Sequence, residues 1–150
     1  FPSVTSQQIY RHDTDTLLSP NGQTSLVSKN SAGVPASAVP LSTSNTSPTI
    51  SADGRYIAFV STATNLDPLF PSVTGQHIYR HDTQTSATLP NGQTTLVSKD
   101  ELGIPATAGP SIAPVIAKNG AFVAFVSSAT NLVTVPPAAP GLNVYVRAIP

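Results

Sequence analysis

Pro48 to Leu66 reads PTISADGRYIAFVSTATNL, and Pro114 to Leu132 reads PVIAKNGAFVAFVSSATNL. Each stretch runs through an extended segment around Ile50 or Ile116, a turn dipeptide, five apolar or aromatic residues, and Ala-Thr-Asn-Leu. The dipeptides Asp53-Gly54 and Asn119-Gly120 have the chemistry of a two-residue I′ hairpin, whose central residues both take positive φ. In Tyr56 to Val60 and Phe122 to Val126 every side chain is apolar or aromatic. Successive side chains on a strand point to opposite faces, so both faces of these strands must be covered. The predicted core is therefore Ile50, Tyr56, Ile57, Phe59, Ile116, Phe122, Val123 and Phe125.

The flanking segments repeat too. Phe1 to Thr16 (FPSVTSQQIYRHDTDT) returns as Phe70 to Thr85 (FPSVTGQHIYRHDTQT) with 13 of 16 positions identical, and Asn21 to Lys29 returns as Asn91 to Lys99. The offsets of 69, 70 and 66 residues differ only as loop insertions would make them. Asn143 to Arg147 (NVYVR) is a weaker third copy of the Ile-Tyr-Arg-His-Asp segment. Each period reads as four short strands, and no window carries a helical apolar stripe. The strands near Gln8 to His12, Thr24 to Ser28, His77 to His81 and Thr94 to Ser98 alternate more clearly, which puts them nearer a sheet edge. Proline-rich stretches at Val34 to Pro48, Ile104 to Pro114 and Val135 to Pro140 read as connections between strands.

Composition narrows the partners. Seven basic and seven acidic residues, 9% of the chain in all, leave no electrostatic footprint for nucleic acid. No apolar run is long enough for a transmembrane helix. The absence of cysteine removes disulfides, thiolate metal sites and cysteine nucleophiles together. Three histidines without cysteine make a poor zinc set, and neither a metal nor an organic cofactor is expected.

His12-Asp13 and His81-Asp82 are the candidates for catalysis, since a carboxylate beside an imidazole is half of a hydrolase triad. Adjacent strand residues diverge, however, and the pair recurs with the scaffold, so a hydrogen-bonding role in the strand is the expectation. Arg11 and Arg80 are placed to pair with Asp13 and Asp82 two positions along. Tyr10, Tyr79 and Tyr145 hold equivalent positions, where an aromatic serves for packing or for stacking on a sugar. Asn45 begins an Asn-x-Ser sequon and is a candidate glycosylation site.

The string Pro-x-Ile-x-x-[Asp/Asn]-Gly-x-[Tyr/Phe]-[Ile/Val]-Ala-Phe-Val-Ser, with Ala-Thr-Asn-Leu, Ile-Tyr-Arg-His-Asp and Thr-[Ser/Thr]-Leu-Val-Ser, resembles the repeat of TolB-type, WD40-like β-propellers. The resemblance implies an all-β fold of tandem four-stranded antiparallel blades stacked face to face. It divides one repeat domain, 1–150, into a blade part at 1–30, a full blade at 48–100 and a partial blade at 114–148. A ring of that family takes about six blades, on the order of 400 residues, so this chain is expected to be an incomplete ring or part of an open or oligomeric assembly. The connection after Ala-Thr-Asn-Leu departs from the family, being rich in proline (Pro68, Pro71, Pro136, Pro137) instead of Gly, Asn and Asp.

Open blade edges template pairing with other chains. The expected assembly strands are those of Ile9 and Tyr10 at one end and of Val144 and Tyr145 at the other. The leading expectation is a non-catalytic structural or interaction module that self-assembles head to tail into an oligomer or filament. The chain beginning at Phe1 reads as mature or partial, and extracellular, cell-surface or periplasmic. Two alternatives stand beside it: a protein- or peptide-binding segment of a larger propeller, and an accessory domain of a secreted hydrolase.

Overall fold

The computed structural model describes residues 7–15, 20–37, 44–135 and 141–150. The segments 1–6 and 16–19 of the first repeat, and 38–43 and 136–140 of the proline-rich connections, lie outside the described residues. Among the described residues the chain is all-β, with nine strands. They are β1 (Tyr10–Asp13), β2 (Gln23–Leu26), β3 (Asn45–Ile50), β4 (Tyr56–Ser61), β5 (His77–Asp82), β6 (Gln93–Leu96), β7 (Ser111–Ile116), β8 (Phe122–Ser127) and β9 (Asn143–Ala148).

Three antiparallel sheets form in chain order: β1-β2, β3-β4-β5-β6 and β7-β8-β9. The repeat shows in the register, since Phe59 sits opposite Tyr79 in the middle sheet as Phe125 sits opposite Tyr145 in the third. Both pairs stack, with ring centroids 6.1 and 5.8 Å apart.

The apolar run of β4 feeds two separate cores. Ile57 and Phe59 join Ile9, Val27, Tyr79 and Leu96, sealing the middle sheet against the first. Ala58 and Val60 join Ile78, Val97, Ile116, Val123 and Phe125, sealing it against the third. Alternation along one strand thus builds a stack in which the middle sheet is covered on both sides.

The β3–β4 and β7–β8 loops are longer than a two-residue I′ turn. Gly54 N–H donates to Ser51 O and Ser51 N–H to Tyr56 O, which leaves four residues in the loop, and of the dipeptide only Gly54 takes positive φ (72°). Asp53 uses its side chain instead, its Oδ1 accepting from Arg55 N–H (3.1 Å). Gly120 repeats this geometry (φ 72°), with Asn119 Oδ1 accepting from Ala121 N–H.

Pro48 and Pro114 lie inside β3 and β7, not in the connections. Each sits at a register shift in an edge strand, where a missing N–H leaves no ladder bond unmade. β6 is an edge strand of the middle sheet with β5 next to it, yet β5 is buried along nearly its whole length.

Two expected core residues are exposed, for one reason. Ile50 is 52% exposed while its counterpart Ile116 is 8% exposed, because the two-stranded first sheet does not reach over β3. Phe122 is 49% exposed because no sheet among the described residues covers the outer side of β8. Ile57, Phe59, Ile116, Val123 and Phe125 are buried, and Tyr56 is partly buried.

Candidate functional site

The side chains of the His–Asp pairs diverge into separate structural bonds. His81 Nδ1 lies 2.8 Å from Thr94 Oγ1, which in turn donates to Lys29 O (2.5 Å) and so ties the middle sheet to the first. Because the Thr94 hydroxyl proton is committed to that carbonyl, His81 Nδ1–H is the donor and Nε2, packed against Gly92, is unprotonated. Burial, helped by the Lys29 charge, pushes the His81 imidazole down to about 4. His12 repeats the contact with Thr24 Oγ1 at 2.7 Å.

Asp82 takes a two-pronged bond from Arg55, Nε at 2.8 Å and Nη2 at 2.7 Å, and sits below the usual carboxylate range despite partial burial. Arg80 therefore does not pair with Asp82. It turns under the third sheet instead, donating to Gly120 O (3.1 Å) and Pro150 O (3.2 Å), with its guanidinium 4.7 Å from the centre of the Tyr56 ring. Arg11 does pair with Asp13, since the first sheet has no described loop carrying a counterpart of Arg55. It also reaches across to Thr83 Oγ1 (3.1 Å) on the middle sheet.

The tyrosines divide by position in the stack. Tyr79 OH donates to Ala63 O and Tyr145 OH to Ala129 O, so both are fastened by ring and hydroxyl. Tyr10 stands 62% exposed. Asn45 is 3% exposed and its Nδ2 donates to Gln7 O (2.6 Å), which leaves no room for a glycan on that amide in this fold.

The role of Ala-Thr-Asn-Leu was not visible from the residues alone. Asn65 Oδ1 accepts from Ser37 N–H (2.8 Å) while its Nδ2 donates to Pro35 O (2.9 Å). Asn131 does the same with Thr107 N–H and Pro105 O. Each asparagine thus clamps the backbone that leads out of the preceding sheet. Asn131→Ala is expected to lower stability by about 2 kcal/mol, two net hydrogen bonds, and Asn131→Asp by at least as much, since a carboxylate oxygen then faces Pro105 O in place of the donor. Urea midpoints of the two variants check this ordering.

Among the described residues, exposed apolar sheet surfaces lie at the ends of the stack. On the outer side of the third sheet, Ile112, Val126 and Val144 form one cross-strand row, Val115, Ala124 and Val146 a second, and Phe122 with Ala148 a third. Every side chain in these rows is apolar. Val115, Phe122, Val144 and Val146 are exposed, so the patch is continuous over three strands. At the other end, Tyr10 and its cross-strand partner Leu26 mark the outer side of the first sheet. A slot of about 270 Å³ lies beside the edge of β1 that pairs with no described strand, lined by Ile9, Tyr10, Ile50 and Ile57 among others.

A groove of about 680 Å³ runs between residues 70–77 and 104–110, walled by Phe70, Pro71, Val73, Ile104, Pro105 and Pro110. His77 lies at its base with both ring nitrogens engaged, Nδ1 with Ser98 Oγ and Nε2 with Thr74 O. No group of three His, Asp or Glu side chains converges as a metal site among the described residues. No described helix is long and apolar enough to cross a membrane. No protein-family model matches the chain, and no curated protein matches it.

Proposed function

We propose that this chain is a non-catalytic structural and interaction module, its sheets being blades of a β-propeller-type repeat, which associates head to tail with copies of itself outside the cytoplasm. One observation carries the reading: the outer face of β7-β8-β9 is apolar and exposed, although the repeat builds the same face of the middle sheet for burial. Water disfavours such a patch at roughly 25 cal/mol per Å², so covering it drives association. The non-catalytic part is supported by the repeated polar residues, whose side chains are spent on holding sheets together. Low charge and the lack of cysteine suit an exported, surface-exposed chain.

The groove walled by Phe70, Pro71, Val73 and Ile104 supports a second reading, a protein- or peptide-binding segment of a larger propeller. Apolar walls with backbone polar groups at hand suit an extended proline-containing peptide.

Sedimentation velocity from low micromolar to submillimolar concentration separates the readings. Self-association predicts growth in whole-chain steps as concentration rises. A single-chain mass at every concentration, with a folded β spectrum, removes it.

A further inference from the structure

We infer that the outer face of the third sheet is the seat of the outer face of the first sheet of a second copy, so that the contact between copies repeats the contact between sheets. This rests on the self-association reading and names its two surfaces. It begins with an equivalence at the 66-residue offset: Phe122, Ala124, Val126, Val144 and Val146 correspond to Tyr56, Ala58, Val60, Ile78 and Arg80. In the middle sheet Ala58, Val60, Ile78 and Arg80 are buried beneath the third sheet, whereas Val144 and Val146 are 73% and 68% exposed.

The chain itself shows what this face receives. Ile9 and Val27 of the first repeat meet Ile57, Phe59, Tyr79 and Leu96 of the middle sheet. Ala58, Val60 and Ile78 of the middle sheet then meet Ile116, Val123 and Phe125 of the third. Twice, therefore, the same side of one sheet takes the opposite side of the next. On the first sheet that opposite side carries Tyr10 and Leu26, at the positions of Tyr79 and Leu96, and Tyr10 is open to solvent. The last face of the stack fits the first face, and Tyr10 on the one and Val144 and Val146 on the other are exposed.

A replaced arginine marks the outer face of the third sheet. Arg80 reaches forward to Gly120 O in the hairpin loop of the following sheet, and Arg11 lies against Gly54 in the equivalent loop. The third position in this series is Val146. Valine there leaves the outer face of the third sheet apolar in every cross-strand row. The contact is heterologous, so it propagates into a ring or an open chain of copies.

Two variants, each closing one surface, test this. Val144→Glu puts a carboxylate in the third-sheet face and Tyr10→Glu puts one in the first-sheet face; both positions are exposed, and Val146→Glu is a second choice for the former. Each variant alone is expected to sediment as a single chain under conditions where the wild type associates, an affinity loss of at least about tenfold from burying an unpaired charge. Mixed in equal amounts they are expected to form a two-chain species and stop there, because each supplies the face the other lacks. A mixture that stays at single-chain mass, or a Tyr10→Glu chain that associates like the wild type, overturns the pairing while leaving self-association standing. A wild type that never associates removes both.

Discussion

Phe59→Ala is expected to cost about 3–5 kcal/mol, the range for truncating a fully buried aromatic without collapse of the cavity. Phe59 has no exposed surface, stacks on Tyr79 and lies at the centre of the core between the first and middle sheets. A domain has about 5–15 kcal/mol of total stability, so about a fifth or more is at stake. Phe125 holds the equivalent position in the other core. Because the two rings belong to separate clusters, Phe59→Ala and Phe125→Ala are expected to add within about 0.5 kcal/mol in the double variant. Urea unfolding of the three chains measures this, and strong coupling would mean that the stack has one core instead of two.

The second large effect is loss of stability in acid. His81 is neutral in the folded chain because burial disfavours its charge, which lowers it from 6.5 to about 4. The unfolded chain therefore binds the proton more readily. The stabilisation is fully present above pH 6.5 and is lost as the pH falls toward 4, by about 3 kcal/mol for one such group. His77 is lowered by burial as well and adds loss of the same sign. His81→Gln is expected to be less stable at neutral pH but flatter from pH 6.5 to 4. Thermal midpoints across that range for wild type and variant decide it, and an equally steep fall in both would place the acid sensitivity elsewhere.

The parts of the fold legible in the sequence are those written in local residue order. Tyr56 to Val60 has no polar residue of either parity, so its double coverage follows from the strand period alone. Phe122 to Val126 reads the same way, yet one of its sides is open. The difference lies in the position of β8 in the stack, which the strand's own residues do not encode. Ile50 and Ile116 differ in burial for the same reason, since what covers each belongs to another sheet. The partner of Asp82 turned on Arg55, which is 27 residues away in the chain and stands in the loop just before Tyr56, the residue opposite Asp82 in the sheet. Asn65 and Asn131 stayed opaque because each bonds to backbone atoms, which carry no mark in the sequence.

The turns were half legible. Asp53-Gly54 and Asn119-Gly120 marked the right places, but the side-chain bonds of Asp53 and Asn119 stabilise a wider loop with positive φ at glycine alone. For the open surfaces, the sequence pointed to strand edges around Ile9, Tyr10, Val144 and Tyr145. Their burial redistributes the emphasis, with Ile9 in the core and Tyr145 packed against Phe125, while Tyr10 and Val144 point outward. Among the described residues it is a pair of faces that stands open, in addition to the edges.

The chain contains no cysteine, so Tyr10→Cys together with Val144→Cys introduces a single reactive pair, one thiol on each proposed surface. Oxidised at a concentration where the wild type associates, this double variant is predicted to give a ladder of disulfide-linked whole-chain multiples that collapses on reduction. A reference chain carrying Tyr10→Cys with Leu102→Cys, the latter on the exposed connection between β6 and β7 and outside the strands of both faces, is predicted to give far fewer. Ladders of equal strength from the two chains would contradict the meeting of first and third sheets between copies.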